Sequence, residues 1–426
     1  MMSFTQKELY ALCVKCGKCR SVCPVFNELN EEGAAPRGKI ALIQAFVENV
    51  IEPSSRTKRA ISECLLCGAC VEICPNNVQT DLLILAAREQ LVKYPGHRLV
   101  ESLLTKVAFS KTDLSFKLGY AAEHAIGTKI KSGTDVFYRL PVNRIIPEFK
   151  GKRFTSSDKN KYTNKTKTGF FLGCLIEFIY HNIAEDTIFL LNASGKTPYI
   201  PRNQGCCGLP ALSMGNSKKA EEQARAVIRL FKDVDTVVTA CASCGSMMKN
   251  YYQFLFKNPE DIREAKEFAE KVKDISEVLE PELFRGGKAE ETLITYHDPC
   301  HLKRGMGIRD KPRDLIKYAG YKIAEMQNPD RCCGLGGAFN IKHRKLSLSI
   351  SNKKVNDINS TGADIVATGC PGCIANISAM LMEQHSHVRV MHTVNLLAMV
   401  FTHKMDLQSS RFYGLLTNSN NTDMEK

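Results

Sequence analysis

The chain has 426 residues, 44% of them hydrophobic and 24% charged, a balance that excludes a disordered protein and leaves room for two or three domains with real cores. Its longest apolar runs, Leu82–Ala87 and Leu396–Phe401, fall far short of the roughly 20 residues that cross a bilayer, so any membrane contact is expected to be peripheral or through a partner. A net charge of +13 points to an acidic partner or an anionic lipid surface and only weakly to nucleic acid, which is not expected to bind.

From the N-terminus, MMSFTQKELYALCVKCGK reaches cysteine before any apolar stretch develops. That pattern is not a secretory leader, and it points to a reducing, cytoplasmic setting in which disulfides are not expected. All 18 cysteines fall into four groups. The first two groups each spell C-x2-C-x2-C-x3-C-P: Cys13, Cys16, Cys19 and Cys23 before Pro24, and Cys64, Cys67, Cys70 and Cys74 before Pro75. This is the bacterial ferredoxin run, in which three closely spaced thiolates hold three corners of a 4Fe–4S cube and the fourth reaches the other cluster. The pattern assigns Cys13, Cys16, Cys19 and Cys74 to one cluster and Cys64, Cys67, Cys70 and Cys23 to a second. Zinc is the alternative, but its sites favour separated C-x2-C pairs over four cysteines in one run ending in proline.

Between the runs, Pro36-Arg37-Gly38-Lys39-Ile40 opens an apolar-periodic stretch to Val50; this spacing is similar to that of the α-helical ferredoxin domains of succinate dehydrogenase-like iron–sulfur proteins, and the resemblance implies that Lys39–Val50 is helical and packed between the clusters. Residues 1–95 read as a helical two-cluster domain. Residues 96–167 read as a helical connection and basic linker, because Phe149–Lys167 (FKGKRFTSSDKNKYTNKTK) is rich in Lys, Ser, Thr and Asn and reads as a solvated linker before a docking site.

Past the linker come two sets that resemble each other: Cys174, Cys206, Cys207, Cys241 and Cys244, then Cys300, Cys332, Cys333, Cys370 and Cys373. In both, 32 positions separate the single cysteine from the vicinal pair, and both end in C-x2-C. The second half is therefore a duplication, with units at 168–288 and 289–408. TGFFLGC, TVVTAC, TLITYHDPC and DIVATGC each end a β-branched or aromatic run at a cysteine. They read as buried strands with cysteines on the loops at their carboxyl ends. Helical patterns at Lys218–Phe231 and Leu346–Ile358 alternate with them, which argues for parallel α/β units whose sites lie beyond those strand ends.

The vicinal pairs sit in Gly205-Cys206-Cys207-Gly208 and Cys332-Cys333-Gly334-Leu335-Gly336-Gly337, where glycine lets backbone approach a bulky inorganic group. Gly334–Gly337 is not a nucleotide loop, since it follows a cysteine pair instead of a strand and lacks the G-x-G-x-x-G register, and no Walker-type loop occurs. His297 and His301 flank Cys300 in His297-Asp298-Pro299-Cys300-His301. They are candidate ligands or acid/base groups, against the plainer reading that His297 and Asp298 hydrogen-bond the cysteine loop; no catalytic residue is assigned. The Asn-rich end from Ser409 reads as a disordered tail, 409–426.

These motifs resemble the tandem cysteine-rich "CCG" domains of heterodisulfide reductase and of the iron–sulfur subunits of glycolate oxidase, D-lactate dehydrogenase and anaerobic glycerol-3-phosphate dehydrogenase. Joined to a helical two-cluster domain similar to that of succinate dehydrogenase-like iron–sulfur proteins, the arrangement most resembles the glycolate oxidase iron–sulfur subunit over nearly the whole chain. The resemblance implies an N-terminal α-helical ferredoxin domain followed by two repeated α/β units. Two 4Fe–4S clusters are expected in the first. One or two further clusters, noncubane as in the heterodisulfide reductase relatives, or zinc, are expected at the five-cysteine sets. It implies an electron-transfer subunit of an oxidoreductase, not catalytic alone, passing electrons from an FAD-containing dehydrogenase subunit acting on glycolate or D-lactate to a quinone or other acceptor. The implied location is the cytoplasm or the cytoplasmic face of the inner membrane. The alternatives are a heterodisulfide-reductase-like subunit with a catalytic CCG cluster and the glycerol-3-phosphate dehydrogenase subunit.

Overall fold

A computed structural model describes residues 6–94, 112–132, 135–141, 144–156, 166–286 and 291–418. The N-terminal region is helical, with helices Gln6–Ala11, Pro36–Val47, Ser55–Ser62 and Thr80–Leu91 around the two cysteine runs. Pro36 starts its helix at the position where a missing N–H costs nothing, and the Ser54 hydroxyl caps the next by accepting from Thr57 N at 3.1 Å. Ile40, Ile43 and Phe46 turn one face of Pro36–Val47 inward. Thr80–Leu91 is buried all round from Leu82 to Ala87, and each large side chain there contributes about 1.5–3 kcal/mol. It has no solvent face because it lies between the ferredoxin helices and the second half, where Arg88 donates to the Ser213 carbonyl at 2.8 Å.

The connection departs from the helical linker expected over 96–167. A helix, Thr112–Ile126, leads into an antiparallel meander of β1 (Thr128–Ser132), β2 (Asp135–Leu140) and β3 (Arg144–Pro147), with Ile130 opposite Phe137 and Arg139 opposite Ile145. Phe137, Tyr138 and Ile145 are buried in it. The stretch after Pro147 is docked as far as it is described: Phe116 stacks on Phe178 with ring centres 4.4 Å apart, Phe149 meets Phe116 edge-on, and Lys150 N bonds Phe178 O at 2.9 Å. Aromatic anchoring overrides the polar composition here, while 157–165, the centre of the expected linker, lies outside the described residues.

Each unit of the second half is a four-stranded parallel sheet. The first pairs β5 (Pro198–Tyr199), β4 (Thr168–Phe171), β6 (Thr236–Thr239) and β7 (Val272–Asp274) in that order. The second pairs β9 (Lys322–Ile323), β8 (Leu293–Tyr296), β10 (Ile365–Thr368) and β11 (Arg389–His392). Both follow the spatial order second, first, third, fourth, so the duplication extends to topology. The expected helices appear as Ser217–Leu230 and Arg344–Asn359. The units meet end to end: Ala242 N bonds Gly369 O at 3.1 Å, and His392 Nε2 donates to Ala240 O at 2.9 Å. The last helix runs Thr393–Asn418, so the tail expected to be disordered from Ser409 is helical through Asn418.

Candidate metal centres

The two ferredoxin runs fold the same way. Lys15 and Gly17 in one, Leu66 and Gly68 in the other, flank the second cysteine with positive φ (57° and 84°, 55° and 72°), and a short helical turn follows each glycine. Alternating handedness curls the chain into a concave loop with its thiols inside. Cys23, Cys64, Cys67 and Cys70 line one cavity with Pro24, Pro36 and Lys39. Cys13, Cys16 and Cys19 lie close enough that the first two raise the pKa of the third, after burial. Asn76 bonds the Leu12 carbonyl at 2.9 Å, which brings the end of the second run beside the start of the first. Cys16 is exposed, with Leu12 and Val14 exposed next to it.

In the second half the cysteines sit at the carboxyl ends of strands, and in each unit the five thiols share protons. Hydrogen bonds from Cys174 and then Cys207 hold the Cys206 thiol well below its ordinary value. Cys300 and then Cys333 do the same for Cys332. Such mutual stabilisation of thiolates is what a metal would replace. All ten cysteines line one largely apolar cavity of about 150 Å³, together with Leu66, Leu172, Leu175, Leu335 and His301.

Contacts place the sets in series. Cys67 of the second ferredoxin run and Cys332 line one cleft and pack on one apolar group with Val25, Leu65 and Phe339. Cys370 in turn exchanges a hydrogen bond with Cys241 of the first unit. The Cys332 set of the second unit is thus the one that meets Cys67, and through Cys370 it meets the first unit. His301 pins this junction, its Nε2–H donating to Leu66 O at 3.2 Å and its Nδ1 accepting from Ser243 Oγ at 3.0 Å. Ser243 Oγ also lies 3.5 Å from Cys370 Sγ. The donor sets fit iron–sulfur groups: thiols converge from separate loops, and backbone N–H groups of Leu66, Val78 and Gly334 point at Cys64, Cys74 and Cys332 sulfurs at 3.4, 3.4 and 3.5 Å.

His297 Nδ1 and Asp298 N both meet the Pro329 carbonyl, at 3.2 and 3.0 Å, tying strand β8 to the loop that carries Cys332. Burial pushes the His297 imidazole down to about 3. The Asp298 carboxylate is gripped by Arg313 through two bonds of 2.7 and 3.0 Å. Two arginines carry no motif of their own and are visible only in the fold. Arg88, half-buried, donates to the carbonyls of Ile61, Ser62, Cys64 and Ser213, and among the described residues no carboxylate pairs with it. Its one sequence signal is its place directly after the apolar run Leu82–Ala87. Arg304 packs against Gly68 and pairs with Glu72 at 2.7 Å and Asp330 at 2.6 Å.

A 4Fe-4S dicluster domain matches residues 10–78, and a cysteine-rich (CCG) domain matches twice, at 168–249 and 294–378. The probable glycolate oxidase iron–sulfur subunit of Bacillus subtilis is 31% identical, the alignment spanning 92% of this chain and 94% of that protein. A subunit of the fumarate reductase (CoM/CoB) of Methanothermobacter marburgensis is 27% identical over 92% of this chain and 72% of its own. Lactate utilization protein A of Geobacillus kaustophilus is 32% identical across 54% of this chain and 98% of its own. Among solved structures, a hypothetical protein from Helicobacter pylori shares the fold with a TM-score of 0.53 at 11% identity, over 93% of this chain and 72% of that one.

Proposed function

Because the chain belongs to the glycolate oxidase iron–sulfur subunit family, with its two-cluster ferredoxin domain and tandem CCG domains, we propose that it carries electrons away from a flavin-dependent 2-hydroxy-acid dehydrogenase. It is an iron–sulfur electron-transfer component of an oxidoreductase. The finer reading is that an FAD-bearing partner subunit oxidises glycolate or D-lactate and that a quinone is the final acceptor. Cys13, Cys16, Cys19 and Cys74 would hold one 4Fe–4S cluster, Cys64, Cys67, Cys70 and Cys23 the other, and the two five-cysteine sets a further cluster or zinc each. Bound there, clusters supply one-electron exchange at potentials set by charge, hydrogen bonds and exposure.

The supporting observation is the series of thiol sets in contact from Cys67, through Cys332, to Cys370 and Cys241, with Cys16 of the first run exposed. The protein's own work is to hold these sets in register, which Arg88, His301 and Arg304 do across the junction. It also excludes water, since the CCG cysteines other than Cys174 and Cys300 are buried. Leu12 and Val14 around Cys16 form the natural docking face for the flavoprotein. No helix among the described residues is long and apolar enough to cross a membrane, so a quinone would be met at a surface or through a partner.

The test is the complex with its flavoprotein. With Cys67→Ser, glycolate or D-lactate should still bleach the flavin while acceptor reduction falls to background; acceptor reduction at the normal rate would defeat the reading. The shared apolar cavity supports a second reading, in which a small disulfide takes two electrons and two protons there. A thiol-perturbed spectrum on adding a disulfide would favour it, and an unchanged spectrum would remove it.

A further inference from the structure

One buried side chain in the second unit has a lone pair with nothing to do. His297 is 1% exposed, and its Nδ1 lies 3.2 Å from the Pro329 carbonyl oxygen. A carbonyl can only accept, so Nδ1 carries the proton and Nε2 presents a bare lone pair. Nε2 has no hydrogen-bond partner among the described residues. The His297 ring lies beside Cys333 and Cys373, one of its nitrogens and the two thiols falling within 4.8 Å of one another, and with Nδ1 held by Pro329 the nitrogen free to act there is Nε2. Metal-bound thiolates have no proton to offer it, and two anionic sulfurs would repel it unless a cation lay between them.

We propose that His297 Nε2 is a nitrogen donor to the metal group of the second unit, which makes that site a mixed nitrogen and sulfur site while the first is held by thiolates. The proposal rests on the reading that the second cysteine set binds metal. The supports are those a ligating histidine needs. Its other nitrogen donates to a backbone carbonyl, which fixes the tautomer and the ring plane. That carbonyl is itself immobilised by Asp298 N at 3.0 Å and Lys354 Nζ at 3.1 Å. The reverse tautomer would set a lone pair of Nδ1 against the Pro329 oxygen. In the first unit Phe171 stands three residues before Cys174, as His297 stands three before Cys300, and it offers no donor.

The experiment uses the full chain purified anaerobically from cells fed histidine labelled with nitrogen-14 or nitrogen-15. Metal analysis of the wild type against Cys333→Ser identifies what the second set binds. An iron group is then poised in its paramagnetic state and examined by pulsed electron paramagnetic resonance; zinc is examined by X-ray absorption at its own edge. The expected result is a directly bonded histidine nitrogen, switching with the isotope in the iron case. It should be lost in His297→Phe and kept in His301→Phe, whose ring nitrogens are engaged by Leu66 O and Ser243 Oγ. Metal in the second set with sulfur ligands alone overturns the proposal and leaves the underlying reading intact. No metal in that set overturns both.

Discussion

The two units of the second half hold their cysteines alike and support them differently. In the first, Gln204 ties the Cys206 loop to its strand with two neutral bonds, accepting from Leu172 N at 2.8 Å and donating to Phe170 O at 3.0 Å. The neighbouring Phe171 and Leu172 are fully buried. In the second, the same tie runs through His297, Asp298 and buried Lys354 to Pro329, and Arg313 clamps Asp298 and Glu325. Duplication kept the topology and the thiols, whose spacing the strand ends dictate, and let the surroundings diverge. Two sites of like geometry but unlike polarity differ in the potential, or the metal, they favour. The polar unit is the one whose cysteines meet those of the ferredoxin run, through Cys67 and Cys332.

The strongest way to break this comparison is to remove a thiol from each set. Cys207→Ser and Cys333→Ser should each cost the metal of one unit only and leave the ferredoxin signals, whereas Cys67→Ser should remove about four irons per chain and leave both units. Metal content and low-temperature spectra decide it. Loss of both unit centres from either single change would mean that the ten cysteines around the shared cavity act as one site.

Stability sharpens it next. Arg313→Met leaves the buried Asp298 carboxylate without its partner and should cost about 3–5 kcal/mol. Gln204→Ala strands one N–H and one carbonyl in the first unit and should cost about 1–3 kcal/mol. Denaturant unfolding of the metal-loaded protein measures both, and equal losses would mean that the charged clamp adds nothing over the neutral one. Arg88→Met, which removes the donor from four carbonyls at the seam with the ferredoxin helices, should lie near the upper figure, with Arg88→Lys recovering part of it.

Much of this is legible in the sequence because cysteine spacing is a statement about backbone turns. The ferredoxin runs, the duplicated sets and the strands that end on Cys174, Cys241 and Cys370 all announce themselves within a few residues. What the sequence hides is long-range or marginal. Nothing local says that Cys67 lies beside Cys332 or that Arg88 reaches Ser213 of the first unit. TKIKS and DVFYRL are short and charged enough to pass for linker, and only the burial of Phe137 and Tyr138 marks the β1–β3 meander. Lys150 and its neighbours look solvated in the sequence because the Phe116, Phe149 and Phe178 contacts join segments far apart in the chain.

The smallest effect is a control outside both units. Glu123 is fully buried beneath the meander, accepts from Phe149 N at 2.9 Å and has no partner for its second oxygen among the described residues; burial pushes its carboxyl up to about 7. Folding then binds a proton that the unfolded chain, titrating near 4.3, gives up sooner. The stability this confers is complete below the unfolded value and declines as pH rises toward and through 7. Between pH 5.5 and 7.5 the wild type should therefore lose on the order of 1 kcal/mol that Glu123→Gln does not lose, by thermal or denaturant unfolding. Metal content at both units should be the same in the two proteins. If Glu123→Gln shifted metal binding in one unit alone, the meander, which packs on the helix Pro371–Glu383 of the second unit, would be a further source of the difference between the units.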